Sequence, residues 1–410
     1  MKWANVPFGS LYQQTSRNGL TKPSRVRGAG VKMVNMGELF AHDRIFDIPM
    51  ERVPVTEREL STASLEPEDL LFARQSLVLE GAGKCSIVKE ITEPTVFESH
   101  LIRVRLDPLR AAPDFYYYYF KSPLSPVKSI VSQCAQAGIK SSDLAVLPVV
   151  FPPLPTQEHI ADILSHYDAL IENNRRQIKL LEEAAQRLYR EWFVDLRFPG
   201  HEHTPISNGV PQGWRPMLME DVCKTIGGGT PSTKRPEYYE KGTIPWVTPT
   251  DVTRNGSLVL LSPEKYITQE GLDNSSAKMV HPFTILMTSR ASVGFFAVCS
   301  QSVCTNQGFI ACEPKEGVTR MFLLFHLLSR VPEIRIKAGG STYPEISKGT
   351  FRQLPLLLPA PHVMRGFDDI VFPIILLVEK LSQEILRLTE ARDRLLPKLM
   401  SGEIEVQELP

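Results

Sequence analysis

Gly81-Ala82-Gly83-Lys84-Cys85-Ser86 carries the glycines and the lysine of a loop that could cradle phosphate. Such a loop needs another glycine five residues before the second one, and Ser or Thr directly after the lysine. Val78 and Cys85 stand there instead, so the match fails twice. His201 and His203 could share a metal ion, but no further ligand lies at a useful spacing, and they read as a solvated loop. Gly227-Gly228-Gly229-Thr230-Pro231 reads as a mobile or ligand-facing loop. The chain has no GxGxxG, HExxH or GxSxG pattern. Phe151-Pro152-Pro153-Leu154 lacks the amide or carboxylate with which an amino-methyltransferase would hold its target. The reading is a binder and organiser without metal or cofactor of its own.

Composition agrees with that class. The chain has 410 residues, 42% hydrophobic and 22% charged, enough for two or three domains with sizeable cores. Six scattered cysteines without metal or redox spacing imply a reduced, cytoplasmic protein. The apolar run 370–378 is interrupted by Pro373 and too short to span a membrane. Net charge is zero, which argues against tight non-specific binding of nucleic acid. The charge is uneven, however. Residues 1–37 hold Lys2, Arg17, Lys22, Arg25, Arg27 and Lys32 and no acid, a concentration that can attract phosphate or simply be a solvated surface.

The elements that must position any such residues occur twice. Residues 139–192 and 346–399 align without a gap at an offset of 207. In each copy a Pro-flanked apolar strand leads into a long helix. Ile160, Leu164, Tyr167, Ile171, Asn174, Ile178, Leu181, Ala185, Leu188 and Trp192 are spaced 4-3 throughout. The second copy gives Phe367, Val371, Ile374, Val378, Leu381, Ile385, Leu388, Arg392, Leu395 and Leu399. A 3.5-residue apolar period over this length predicts a coiled-coil seam, with Asn174 fixing register. Pro373 implies that the second helix starts or kinks there. Chain connectivity makes the helices antiparallel, holding two globular units apart.

Those units also resemble each other. Residues 31–39 parallel 244–252, and residues 69–74, ending at Arg74, parallel 284–290, ending at Arg290, with one residue of slip. Short apolar runs between Gly, Pro, Ser and Asn clusters read as strands of a mixed α+β unit. Residues 115–120 (Phe-Tyr-Tyr-Tyr-Tyr-Phe) and 321–328 read as buried helices at matching places. The expected fold is therefore α+β, with a pseudo-twofold internal repeat. Its parts are a first globular domain over 1–150, a coiled-coil helix over 151–200, a second globular domain over 201–353 and a distal helix over 354–410.

Residues 151–164, Phe-Pro-Pro-Leu-Pro-Thr-Gln-Glu-His-Ile-Ala-Asp-Ile-Leu, with Asp168, Ile171, Asn173, Asn174 and residues 180–182, closely resemble the central conserved region of type I restriction–modification specificity subunits. So do residues 188–200, and residues 395–406 resemble that family's distal ending. Gly228-Gly229-Thr230-Pro231 with Ile244-Pro245-Trp246 resembles the start of a target recognition domain. The first unit departs from the pattern in lacking that Gly-Thr-Pro opening. In the second copy the usual Pro-Pro-Leu-x-x-Gln becomes Pro359-Ala360-Pro361-His362-Val363-Met364.

The resemblance implies a non-catalytic subunit whose two target recognition domains each read half of a bipartite site in double-stranded DNA. A helix of about 35 residues would act as a spacer of roughly 50 Å. Two copies of a modification (methyltransferase) subunit would bring S-adenosylmethionine, and a motor-nuclease restriction subunit would use ATP and Mg²⁺. The DNA-reading candidates are Arg25, Arg27, Lys32 and Arg74 in the first unit, and Thr230, Ser232, Lys234, Arg235, Arg254 and Arg290 in the second. Such side chains can reach base edges and phosphates. The alternative is a two-domain scaffold that binds proteins.

Overall fold

A computed structural model describes residues 3–133, 137–340 and 343–406; Lys2 and Cys134 lie outside them. The chain divides into two compact units, one from Met1–Leu170 with Leu388–Pro410 and one from Ile171–Arg387.

In the first unit a five-stranded sheet runs in the order Tyr12–Asn18, Leu101–Leu106, Leu70–Ala73, Cys85–Val88, Arg44–Ile45. Its neighbours are antiparallel except the last pair. Strand Leu70–Ala73 is buried throughout, because successive side chains point to opposite faces and both faces are covered. Leu70 and Phe72 enter a core with the helix Pro113–Lys121. Leu71 and Ala73 enter another with Met33, Val34, Val96 and Phe97. The aromatic run 115–120 is wholly buried. Its rings pack edge to face, with Phe120 at 4.9 Å from Phe8 and 5.0 Å from Phe72. The Tyr116 hydroxyl donates to the Val150 carbonyl at 3.0 Å. These rings are core and leave no face for stacking a base. Across the second core, Val31–Val34 lies antiparallel to Glu51–Val53 and parallel to Thr95–Phe97.

The second unit repeats this plan. Its four-stranded sheet runs Cys223–Gly227, Phe309–Pro314, Ile285–Thr288, Phe296–Ala297. Ile285 and Met287 enter the core with the helix Arg320–Ser329, while Leu286 enters another with Val247 and Val303. Ile244–Val247 is antiparallel to Lys265–Ile267 and parallel to Val303–Thr305. The registers fix which residues correspond. Ile102 pairs with Asn18 and Phe72, and Ile310 pairs with Gly227 and Met287. Arg74 therefore matches Ser289, and Arg290 matches Gln75. The parallel between Arg74 and Arg290 drawn from sequence is one residue out.

Two long helices, Leu154–Tyr189 and Pro361–Ser401, follow strands Pro148–Val150 and Pro355–Leu358. Each of these strands pairs antiparallel with an edge strand of its own unit, Asn5–Pro7 and Arg215–Leu218. The helices pair antiparallel. In the first unit Ile160 and Leu164 share a core with Leu396, Leu399 and Met400. In the second, Ile178, Ala185 and Tyr189 share one with Phe367, Val371, Ile375, Val378 and Leu381. Ile171 is buried, and Leu181, Leu188, Ile385, Leu388 and Leu395 are partly buried. Three details differ from the heptad reading. The second helix starts at Pro361 and runs through Pro373, which is exposed and has no amide to donate to the carbonyl one turn back. The fully buried residue on the next turn is Ile375, with Ile374 only partly covered. This helix also packs on its own unit's sheet, so its buried stripe follows the 3.6-residue period there. Arg392, the single charged seam position, pairs with buried Asp168, which also accepts from the Tyr118 hydroxyl at 2.7 Å.

The glutamine at the start of the first long helix has a structural role. Gln157 is fully buried; its Oε1 accepts from the Ala112 amide at 2.9 Å, and its Nε2 donates to the Pro152 and Arg110 carbonyls at 2.8 and 3.3 Å. It thereby caps the helix Pro113–Lys121, whose first amides have no intrahelical acceptor. Met364 stands at that place in the second copy. There Asp368, one turn further along, accepts from the Met321 and Phe322 amides at 3.2 Å each.

Candidate nucleic-acid interface

Where the edge strand of each main sheet ends, the chain passes very close to backbone. In the second unit, strand Cys223–Gly227 leads into Gly228, and a Cβ there would collide with the carbonyls of Thr305 and Asn306. Only glycine fits such an approach. The loop is then pinned. The Gly229 amide donates to the Thr305 carbonyl at 2.9 Å, the Trp246 indole donates to the Gly229 carbonyl at 2.9 Å, and the Tyr239 hydroxyl donates to the Pro231 carbonyl at 2.6 Å. Thr230 donates to Gln307. In the loop expected to be mobile or ligand-facing the glycines thus mark tight packing, while Thr230 and the stretch from Ser232 to Glu237 are exposed.

The first unit has the same opening in altered spelling. Strand Tyr12–Asn18 leads into Gly19, whose Cβ would collide with the carbonyls of Phe97 and Glu98. The Leu20 amide donates to the Phe97 carbonyl at 2.8 Å. By strand register Gly19 stands where Gly228 stands. Thr21 and Pro23 follow, separated by Lys22, so the first unit does have the Gly-Thr-Pro opening, with one residue inserted. A glycine followed within five residues by Thr, Pro and Ser was the signal available.

The two loops carry a share of the candidates each. Arg25 is exposed with no acidic partner among the described residues. Arg27 is held by Glu51, by the Asn35 side chain at 3.3 Å and by the Lys22 carbonyl at 3.2 Å. In the second loop Ser232 and Lys234 are exposed. The Arg235 guanidinium lies over the Tyr238 ring at 5.5 Å and 3.9 Å from Glu237. Just beyond each loop and its strand comes a short helix with a capping box, Asn35 with Glu38 and Thr248 with Asp251.

The remaining candidates lie elsewhere. Lys32 sits on its strand, bonded to Asp47 and 3.1 Å from Glu93, which raise its pKa. Glu93 also takes a bidentate bond from Arg52 at 2.8 and 2.9 Å. Local acids thus offset much of the basic N-terminal stretch. The half-buried Arg74 donates to the Ser99 carbonyl at 3.2 Å. Arg290 is exposed and 3.6 Å from Glu345. Arg254, at the end of helix Pro249–Arg254, borders a cleft of about 340 Å³ with Thr250, Asp251, Asn255, Leu260, Ser262, Pro263 and Glu264. The structure groups Arg25 with Arg27, and Thr230 with Ser232, Lys234 and Arg235; it does not bring Arg74, Arg254 or Arg290 into either loop.

Other sequence features resolve as structure. Lys84 of the phosphate-loop look-alike donates to the Phe40 carbonyl at 2.9 Å and lies 3.2 Å from Asp43. Cys85 after it is buried in a strand. His201 bonds the Phe198 carbonyl at 2.9 Å, and no group of three metal-binding side chains occurs among the described residues. The five described cysteines are buried and free; burial pushes the Cys299 thiol up to about 12. No helix among the described residues is long and apolar enough to cross a membrane.

Comparisons with known proteins bear on this arrangement. The family model for the type I restriction modification DNA specificity domain matches residues 48–183 and 211–363. The MjaIX specificity subunit of Methanocaldococcus jannaschii is 33% identical over 171 residues, covering 40% of this chain and 39% of that protein. The putative MjaX specificity subunit of the same organism is 24% identical over 401 residues, covering 95% and 91%. The crystal structure of the S subunit of a type I system from M. genitalium superposes with a TM-score of 0.61 at 17% identity, covering 97% of this chain and 96% of that one, and so shares the fold. With both globular units built on one plan and both matched by the same model, the chain belongs to the type I restriction–modification DNA specificity family.

Proposed function

We propose that the chain is the non-catalytic, DNA-reading subunit of a type I restriction–modification complex, in which each globular unit reads one half of a bipartite target in double-stranded DNA. The observation that carries this reading is the duplicated element: an edge strand, an obligatory glycine, and a loop with a basic, exposed tip. A rigid base with a variable tip suits direct readout, in which Arg reaches guanine and Asn or Gln reaches adenine. The paired helices set the unspecified gap between half-sites. Two methyltransferase subunits supply S-adenosylmethionine, and a restriction subunit supplies the ATP- and Mg²⁺-dependent motor and nuclease. The complex works in the cytoplasm, where its DNA is.

Methylome sequencing of a host with and without this gene tests the reading. One split methylated motif should disappear on deletion; no change in any such motif would sink it. Lengthening both long helices by four residues should widen the gap by about 6 Å at 1.5 Å per residue, or roughly two base pairs.

A further inference from the structure

Two cations of the second unit stand in a row that the first unit does not have. The short helix Lys348–Arg352 packs beside the edge strand Cys223–Gly227. A Cβ on Gly227 would collide with the Lys348 Nζ and lie 3.2 Å from its Cε, so the lysine crosses bare backbone. Arg352 Nε donates to Thr225 Oγ1 at 2.8 Å. Thr225 and Gly227 share one face of the strand, and Lys348 and Arg352, four apart, share one face of their helix. The cations are therefore stacked along the strand, with anchor residues about 7 Å apart. Both side chains are exposed, and neither has an acidic partner among the described residues. Of the acids nearby, Glu313 sits 3.8 Å from Lys224, which points to the opposite face, and Glu220 accepts from the Gln353 side chain at 3.1 Å.

The corresponding place in the first unit is neutral. Asn18 matches Gly227, and its Oδ1 accepts from Ser141 Oγ, at the place of Lys348, at 3.2 Å. Ala145 stands where Arg352 stands. One unit fills the corner with an uncharged pair; the other clears it with a glycine and lays an ammonium group across. A charge placed without a partner beside the root of the basic loop calls for an anion.

We propose that Lys348 and Arg352 grip adjacent phosphates of the DNA backbone, a contact independent of sequence that only the second unit makes. The inference rests on the DNA-reading function proposed above. Lys and Arg contacts to phosphate fix a protein's register on the duplex without specifying bases. The strand that carries the row runs directly into the loop at Gly228, so the grip would hold that loop against its groove.

The test is duplex affinity over a range of salt, measured on the chain assembled with its methyltransferase subunit. Gly227→Asn with Lys348→Ser, and separately Arg352→Ala, install the first unit's residues. Each should flatten the plot of log affinity against log salt by about 0.9, the value for one released phosphate contact, and together by about 1.8. Lys348→Gln, which keeps Gly227 and most of the side-chain length, should match the first. The methylated motif should stay the same in every variant. An unchanged slope with normal affinity would overturn the grip while leaving DNA reading intact. Release of the methyltransferase subunit in place of weaker duplex binding would also overturn it, because the row would then face protein. Failure of the unaltered complex to bind any duplex would instead remove the DNA reading on which the grip rests.

Discussion

In the first unit the long helices meet through Asp168 and Arg392; in the second the same two places hold Ile375 and Ala185, both fully buried. Tyr118, which donates to Asp168, matches Phe325. One crossing is a hydrogen-bonded charge pair and the other is hydrocarbon. The apolar crossing requires no desolvation of charge, but it accepts more than one register. The charged crossing must offset the removal of two ions from water, and it does so only when guanidinium, carboxylate and phenol meet. Burial works against the Arg392 charge, yet its bonds to Asp168 and to the neighbouring Asp393 outweigh that and raise its pKa. A repeat that is symmetric in backbone is thus asymmetric at this crossing: the first unit pairs charges where the second packs hydrocarbon.

Breaking the charged crossing from one side should have the largest effect. Asp168→Ala strands the Tyr118 hydroxyl and leaves Arg392 with only Asp393 as an acidic partner, and chemical denaturation should show a loss of about 3 kcal/mol. Asp168→Ile with Arg392→Ala and Tyr118→Phe converts the crossing to the second unit's chemistry and should sit near wild-type stability. If the triple variant is as unstable as Asp168→Ala, the two crossings are not interchangeable. Next comes Gln157→Ala, which leaves the Ala112 amide and the Pro152 carbonyl without partners inside the first unit. A loss of about 2–3 kcal/mol is expected. Gly19→Ala and Gly228→Ala should cost similar amounts, about 1–3 kcal/mol each, since both force a methyl into backbone carbonyls. A cost at Gly228 alone would show that the two loop openings are not equivalent.

The smallest effect distinguishes the two helix caps by pH. Burial raises the Asp368 pKa against the amides that lower it. A carboxyl whose folded value lies above its unfolded one adds stability below the unfolded value, near 3.9, and loses it as pH rises through the folded one. Gln157 does not titrate. Between pH 7 and pH 4 the second unit should therefore gain a small stability increment that Asp368→Asn removes, while Gln157→Glu should create a similar one in the first. A flat profile for unaltered Asp368 would contradict this.

Much of the frame was legible in the sequence because its signals are periodic. The 207-residue repeat and the heptads gave the long helices, and the match of residues 31–39 to 244–252 gave strands in register. What was hidden depends on contacts remote in the chain. Asp168 lies just off the heptad list, so nothing local paired it with Arg392, 224 positions away. Gly19 was masked by the inserted Lys22. Lys348 and Gly227 mean little apart, and only the fold puts one across the other.

The central strands Leu70–Ala73 and Ile285–Thr288, buried at every position, bear on how new specificities arise. A side chain there has no outlet to solvent, and a one-residue slip would exchange the contents of two cores. Mutational drift is therefore confined to the turns, where added length is tolerated at little cost. The single-residue difference between Gly19-Leu20-Thr21-Lys22-Pro23 and Gly228-Gly229-Thr230-Pro231 is such an event preserved within one molecule. A lineage could exchange or lengthen these tips while inheriting the sheets unchanged, and acquire a new target without having to refold.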